Sequence, residues 1–347
     1  MAGTDSMHET PHAGVVRIEK SDVHFGCDSM DTITRAGLKA GFGMPYECNA
    51  GGCGTCRFEL VDGEVEDLYP DAPVLTERDR KRGRKLACQS RPKGDVTIRQ
   101  RLEDIYIPHV QPIRQKYILV AAKDVTHDIK EFRFRSEKPQ RFLPGQYAQL
   151  YIPGISAPRG YSMSSIANEP QTDWDFQIRK KPGGEATTAL FERVKIGDTI
   201  YIDGPYGHGY LREDSPRDLI CVAGGSGVSP MLSVARGFAA SPKLQGRTLH
   251  FFMGGRTPRD ICGQTELCEL PGWGKTIHFH PAISELGDET WTGSTGFIHE
   301  VVRDTHGEAL PHFEWYFAGP PPMVNAMADV LVKAGVPLTQ QHFDRYF

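Results

Sequence analysis

Four cysteines stand out by their spacing. Cys48, Cys53 and Cys56 form a C-x4-C-x2-C run, and Cys88 follows after a gap of thirty-one residues. Four thiolates so arranged are what a plant-type [2Fe–2S] cluster requires, since each iron takes two cysteines and one loop supplies three of the four. Gly51, Gly52 and Gly54 suit that loop, because backbone wrapped round an inorganic cluster must reach positive φ and turn its amides toward sulfur. Structural zinc is the rival reading. Zinc frames come mostly as two short pairs, whereas here the distant ligand is a lone cysteine with no histidine beside it. The iron–sulfur reading is therefore preferred, and a disulfide ranks below both.

A second constellation is Arg159-Gly160-Tyr161-Ser162. It offers a cation for a pyrophosphate, a ring to stack on an isoalloxazine and a small donor near a reactive nitrogen, the needs of a flavin site. Alone it also fits an ordinary turn. Downstream, Arg179, Lys180 and Lys181 with Gly183 and Gly184 precede a helix start near Thr187, a good anion site.

The third is Gly224-Gly225-Ser226-Gly227, a turn between a buried strand and a helix, where a ligand can approach backbone closely. It is not G-x-G-x-x-G, so the usual dinucleotide fingerprint is absent. A second turn, Gly319-Pro320-Pro321, ends another strand and is expected to form the opposite wall of the same crevice. Two such turns on one sheet favour nucleotide binding over tight packing.

The elements that must position these residues follow from the hydrophobic pattern. Two apolar stretches within residues 15–27 read as a hairpin, followed by a helix that Asp31 caps, with Ile33, Ala36, Gly37 and Ala40 on one face and Gly41 at its end. Phe58–Val61 and Glu64-Val65 read as strands around Asp62-Gly63, and Val96–Ile98 as the last strand of this module. Residues 102–114 read as a linker. Runs at 117–120, 129–134, 147–152 and 174–178, the second and fourth of them alternating, suit a small antiparallel barrel, with one helix at 187–194. Near-continuous apolar runs at 219–223, 248–253, 277–280 and 315–318 read as buried parallel strands, with helices over 230–239 and 321–334 between them.

At 347 residues the chain suggests two or three domains, and its 39% hydrophobic and 24% charged residues are those of a soluble globular protein. A net charge of −4 offers no broad basic surface, so nucleic acid is not an expected partner. No secretory signal and no apolar run long enough for a membrane span is present, and a cytoplasmic location is expected. Cys27, Cys221, Cys262 and Cys268 are then most simply small buried residues. Six acids between Arg57 and Asp71 stand beside a basic block from Thr76 to Lys85. A solvated face is the simpler account; the sharper one is that Glu64, Glu66 and Asp67 steer an electron-transfer partner.

These motifs, in this order and over almost the whole chain, resemble the reductase components of bacterial multicomponent oxygenases, within the ferredoxin–NADP⁺ reductase superfamily. Gly204-Pro205-Tyr206-Gly207 matches the motif that closes the flavin domain in that family, and the stretches Pro45–Gly54 and Leu68–Pro73 with the ending His342–Phe347 are most similar to the reductases of toluene and related aromatic monooxygenases. The resemblance implies a ferredoxin-like β-grasp α+β domain at residues 1–104, an antiparallel β-barrel flavin domain at 105–213 and an α/β parallel-sheet nucleotide domain at 214–347. It implies a [2Fe–2S] cluster on Cys48, Cys53, Cys56 and Cys88, FAD, and NADH as donor.

Tyr161 would stack on the flavin and Ser162 donate to it. Arg159, Gly160, Ile178, Arg179, Lys180, Gly184, Ala186 and Thr187 would complete the flavin wall, and Gly224 to Gly227 with Gly319, Pro320 and Pro321 the nucleotide site. Phe347 or Tyr346 would cover the free flavin face. Asp344 stands where the family commonly has a glutamate, and Ala318 where it often has a cysteine. Gly254-Gly255-Arg256-Thr257 resembles the NADH-using members, although Arg256 could also hold a 2′-phosphate. The implied partner is an oxygenase hydroxylase or its small Rieske or ferredoxin carrier, served by a monomer. The implied activity is electron transfer from NADH to an aromatic or hydrocarbon di-iron monooxygenase. The alternatives are the reductase of a Rieske-type dioxygenase and a redox sensor.

Overall fold

Short β-branched runs broken by polar turns build the first part of the chain. In the computed structural model, which describes residues 12–287 and 290–344, β1 (His12–Ile18) and β2 (His24–Asp28) form the expected hairpin, with Val16 opposite Phe25. Strand β7 (Val96–Arg99) lies parallel to β1, and β3 (Arg57–Asp62) and β5 (Arg84–Leu86) complete a sheet of order β2-β1-β7-β3-β5. Helix α1 (Ile33–Lys39) buries Ile33, Ala36 and Leu38, and Gly37 lets it approach Phe25 and Met44, where a Cβ would come within 3.0 Å of both side chains. A mixed sheet holding one helix is the β-grasp arrangement.

Two local readings change. Thr32, not Asp31, takes the N-cap position. Asp31 is buried and bound to Lys39 Nζ at 2.9 Å, with Arg35 Nε at 3.7 Å. A buried carboxylate gains more from two cations than from one amide. Gly41 does end the helix, with φ 86°. The strands flanking Asp62-Gly63 exist but do not pair with each other: β4 (Val65–Asp67) pairs with β6 (Ser90–Pro92). Between them and β5 lies a short helix, α2 (Glu77–Lys81), fixed by a reciprocal capping box of Thr76 and Asp79.

The chain divides into two units, one ending at Ile113 and one beginning at Arg114. In the second, β8 (Ile113–Asp124), β9 (Ile129–Phe142), β10 (Tyr147–Tyr151), β11 (Arg159–Ser162), β12 (Ala167–Arg179) and β13 (Thr199–Tyr206) form a sheet of order β11-β10-β13-β8-β9-β12. The amide of Ser164 donates to Asp175 O at 2.7 Å and draws the two edges together into a barrel. Phe132, Phe134, Phe142, Trp174 and Phe176 fill it. The intervening Arg133 and Arg135 face outward and meet Asp175 and Asp173 directly across the ladder at 2.7 and 2.6 Å. The expected helix begins as α3 (Glu185–Thr188) and widens into a π-helical turn over Ala189–Arg193.

The nucleotide half is a parallel sheet of order β17-β16-β15-β14-β18-β19, made of β14 (Asp218–Gly224), β15 (Leu249–Gly255), β16 (Ile277–Ile283), β17 (Ser294–Thr295), β18 (Phe313–Ala318) and β19 (Gln341–His342). Helices α4 (Val228–Ala240) and α5 (Gln264–Cys268) contribute to the apolar layer on one face, and α6 (Ile298–His306) and α7 (Pro321–Lys333) to that on the other. Cys27, Cys221 and Cys262 are buried as expected, but Cys268 is exposed because Leu267 takes the inward position of α5.

Histidines crowd the sheet face beneath α6. His250 Nδ1 lies 3.1 Å from His280 Nε2, and His278 and His306 place their rings 5.3 and 4.9 Å from that of His250. Burial holds His250 below its usual range against the pull of Asp218, and burial with the neighbouring rings pushes His280 and His306 down to about 4. A lowered folded pKa means that the unfolded chain binds protons first, so this stability is present above pH ~6.5 and is lost as pH falls toward 4. Urea unfolding is expected to weaken across that window by roughly 1–2 kcal/mol per histidine after solvent screening, and His280→Phe to flatten the slope.

Candidate functional site

The loop from Tyr46 to Cys56 turns at residues holding left-handed backbone: Asn49 (φ 50°), Gly51 (φ 86°) and Gly54 (φ 78°). Gly52 is not one of them. Its amide instead donates to Cys48 Sγ at 3.3 Å, beside the amides of Ala50 and Cys53 at 3.4 Å. Cys56 and Cys88 bring their sulfurs 3.1 Å apart, and Cys48 and Cys53 are hydrogen-bonded to each other.

As bare thiols Cys48, Cys53 and Cys88 are driven apart in their acidities. The hydrogen bond to Cys53 and burial hold Cys48 above the thiol range, and the bond to Cys56 and burial do the same for Cys88, while the bond from Cys48 pushes Cys53 down to about 4. Two sulfur pairs needing a cation, an amide cage aimed at one sulfur, and an Asn49 side chain buried with both amide atoms unpartnered fit a two-iron cluster.

The segment after β4 covers this loop. A Cβ on Gly51 would lie 3.0 Å from Tyr69, and one on Gly54 2.7 Å from Val74. Folding pairs half of the six acids of the acidic block, Glu59 with Arg99, Glu66 with Arg91 and Asp67 with Lys85.

In the barrel, β11 sets Arg159, Gly160, Tyr161 and Ser162 opposite Leu150, Gln149, Ala148 and Tyr147 of β10. Burial pushes the Tyr161 phenol up to about 12. Arg159 is exposed and its guanidinium bonds the carbonyls of Ala157 and Pro158 at 2.8 and 3.3 Å. Ile178 points into the barrel core, so β12 offers a ligand only backbone there. Gly184 caps α3, Ala186 is buried, and Thr187 Oγ1 accepts from Lys181 N and donates to Gly184 O, both at 3.1 Å. Lys180 is held by Glu192 at 2.7 Å, and lines a cleft of about 420 Å³ with Thr126, Asp128 and Lys181.

Strands β14 and β18 are neighbours, and the two glycine turns leave their carboxyl ends side by side at the switch point of the sheet. A cleft of about 370 Å³ opens there, lined by Gly224, Gly225, Arg256 and Pro320 together with Asp260 and Phe297. Arg179, grouped by sequence with the flavin residues, also lines this crevice: it bonds Asp128 at 2.6 Å and its Nη1 lies 3.3 Å from where a Cβ on Gly225 would sit. The direction of β12 against the parallel sheet decides this. Ser226 is exposed and Pro321 opens α7, while Gly227 and Gly319 serve close packing. A Cβ on Gly227 would meet Ala318 O at 2.0 Å, and one on Gly319 the Met323 Cε at 2.6 Å.

Asp344 is buried and its Oδ1 accepts the His208 amide at 3.0 Å, while its Oδ2 lies 2.5 Å from a Cβ position on Gly207. The same Gly207 position abuts Tyr147, whose register partner is Ser162. Tyr346 and Phe347 lie outside the described residues.

Three residues that sequence reasoning passed over join the halves. Ser229 Oγ donates to Ser162 O at 2.7 Å and accepts the Gln177 amide at 3.1 Å. Ser233 Oγ and Arg236 Nη1 reach Ser165 O and Ser164 O at 2.7 and 2.6 Å. The only signal for Ser229 was its place just beyond the glycine turn. Phe297, exposed at the crevice edge, follows Gly296 (φ 121°), a turn signal without chemistry of its own.

Comparison with known proteins agrees with this layout. Residues 16–93 match a 2Fe-2S iron-sulfur cluster binding domain, 116–210 an oxidoreductase FAD-binding domain and 221–329 an oxidoreductase NAD-binding domain. The ferredoxin–NAD(P)⁺ reductase CarAd of Metapseudomonas resinovorans is 38% identical over 92% of this chain and 96% of its own. The ferredoxin–NAD⁺ reductase component of the alkene monooxygenase system of Xanthobacter autotrophicus is 36% identical over 93% and 97%. A solved ferredoxin reductase of carbazole 1,9a-dioxygenase superposes with a TM-score of 0.88 at 34% identity, covering 96% of this chain and 98% of that one. The chain belongs to the ferredoxin–NAD(P)⁺ reductase family of oxygenase electron-transfer components. It is an oxidoreductase with [2Fe–2S], FAD and NAD domains in one polypeptide.

Ser229→Ala leaves the buried Gln177 amide unpaired and is expected to cost about 1–3 kcal/mol in urea unfolding of the second unit. Asn49→Leu places a branched side chain in the left-handed backbone region at φ 50° and is expected to cost about 1–2 kcal/mol in urea unfolding of the first unit.

Proposed function

We propose that the protein draws electrons from NADH and delivers them singly to the hydroxylase, or small carrier ferredoxin, of an aromatic or hydrocarbon monooxygenase. When bound, the flavin supplies the two-to-one electron splitting and the cluster the one-electron exit. The observation that carries the reading is the Ser162–Ser229–Gln177 bridge. It fixes the helix after the nucleotide turn against the strand bearing Tyr161 and Ser162, so a nicotinamide in the crevice and a flavin on that strand belong to one rigid setting.

In this reading Tyr161 orients the isoalloxazine, Ser162 donates to it, Arg159 and Lys180 hold its pyrophosphate end, and Asp344 fixes the loop after β13. The named relatives serve a dioxygenase and an alkene monooxygenase. The carbazole dioxygenase match makes the reductase of a Rieske-type dioxygenase the second reading. None of the eight cysteines is in a disulfide, which supports a reducing, cytoplasmic setting. No helix among the described residues is long and apolar enough to cross a membrane.

NADH is assigned over NADPH because Asp260 stands in the crevice beside Arg256, taking its amide at 3.0 Å and lying 3.8 Å from its guanidinium. A carboxylate there repels a 2′-phosphate. The expected kcat/KM with NADH exceeds that with NADPH by at least about tenfold, and Asp260→Asn narrows the gap roughly fivefold, for about 1 kcal/mol of repulsion removed. Equal use of both nucleotides by the wild type would sink the assignment. Anaerobic titration with NADH is expected to bleach the flavin and raise a reduced-cluster EPR signal; bleaching without that signal would refute the route.

A further inference from the structure

The block from Thr76 to Lys85 holds six cations, Arg78, Arg80, Lys81, Arg82, Arg84 and Lys85, against Glu77 and Asp79, within a chain of formal net charge −4. Folding takes up part of it. Arg84 binds Asp79 at 2.9 Å and Lys85 binds Asp67 at 3.1 Å, while Arg80 turns back to the carbonyls of Pro70 and Ala72. Arg78, Lys81 and Arg82 remain exposed, and among the described residues no carboxylate pairs with them.

The neighbouring acids behave in the opposite way. Glu59, Glu66 and Asp67 are paired, and Asp62 and Glu64 sit at the far end of β3, roughly 20 Å along an extended strand from Cys56. Asp71 and Glu77 are exposed closer in but are outnumbered by the cations.

The position of the cations gives them a use. The segment from Tyr69 to Leu75 covers the cluster loop through Tyr69 on Gly51 and Val74 on Gly54. Arg80 of α2 grips that segment at Pro70 and Ala72, Arg57 grips it at Val74 O at 2.6 Å, and Arg57 lies 3.9 Å from Asp79 of α2. The cationic face is therefore tied directly to the peptide that covers the sulfur ligands. A protein entering here meets positive charge first and the cluster cover next, the arrangement that speeds and orients a transient encounter.

We propose that Arg78, Lys81 and Arg82 form the docking face for an acidic electron-acceptor protein. The inference rests on the electron-delivery reading above and adds where the electron leaves and the charge of what receives it. One electron crosses per encounter, the reductase being oxidised and the acceptor's oxidised metal centre reduced, with no proton carried.

The test uses the holoenzyme with NADH and an acidic plant-type ferredoxin as probe acceptor. Arg78→Glu, Lys81→Glu and Arg82→Glu are combined, with the triple glutamine variant beside them. The expected result is at least a tenfold fall in second-order ferredoxin reduction at low salt for the glutamate variant, and about threefold for the glutamine one. The decline of the wild-type rate with ionic strength should disappear in the glutamate variant. Stopped-flow bleaching of the flavin and reduction of the internal cluster should stay at wild-type rates. Wild-type ferredoxin reduction by the charge-reversed variant, with the same salt slope, overturns the proposal. So does loss of heparin retention without loss of ferredoxin reduction, which marks a general polyanion surface. A wild-type cluster that NADH fails to reduce overturns the electron-delivery reading itself, and is told apart by the internal rates.

Discussion

Gly227 and Ala318 touch backbone to backbone, and no side chain fits between them. That contact lets two glycine turns, each ending its own parallel strand, meet at the switch point of the sheet. Any residue larger than glycine would push α4 from the end of β18, and with it Ser229, whose hydroxyl holds the barrel strands. The nucleotide crevice, the wall that Arg179 gives it and the setting of β11 thus all depend on one missing methyl group. The chain needs no G-x-G-x-x-G fingerprint, because its glycines serve the packing of two turns more than the approach of a phosphate.

The first unit solves a different problem, that of burying four sulfurs. Three amides aimed at Cys48, left-handed turns at Asn49, Gly51 and Gly54, and a cover peptide held by Arg57 and Arg80 supply the polar contacts that a buried anionic group demands. Part of each charge block is paired with distant residues, Glu59 with Arg99, Glu66 with Arg91 and Lys85 with Asp67, so the surface differs from what the linear pattern suggests.

Much of this was legible in the residues themselves. The cysteine frame is local, and its spacing carries its chemistry; near-continuous apolar runs ending in glycine announce parallel strands with a crevice at their ends. What could not be read depended on distant pairing. The fate of Glu59, Glu66 and Asp67 was settled by strands up to forty residues away. Asp31 left the cap for Arg35 and Lys39 only because it is buried. Arg179 belongs to the nucleotide crevice through the course of β12, which no local pattern encodes, and Phe297 owes its place to a loop whose sequence resembles many others. The serines that bridge barrel and sheet looked like ordinary first-turn helix residues.

Those serine bridges bear on how such a chain could be recombined. Ser229, Ser233 and Arg236 stitch the barrel to the parallel sheet through buried or half-buried bonds, whereas the division at Ile113 and Arg114 separates two units. A gene fusion or domain exchange made at that boundary inherits a finished flavin-and-nucleotide body. One made near residue 213 would have to recreate hydrogen-bond partners on both sides of the cut. The unit that ends at Ile113 is thus the part open to exchange, and the barrel with its parallel sheet the part that must move as one piece.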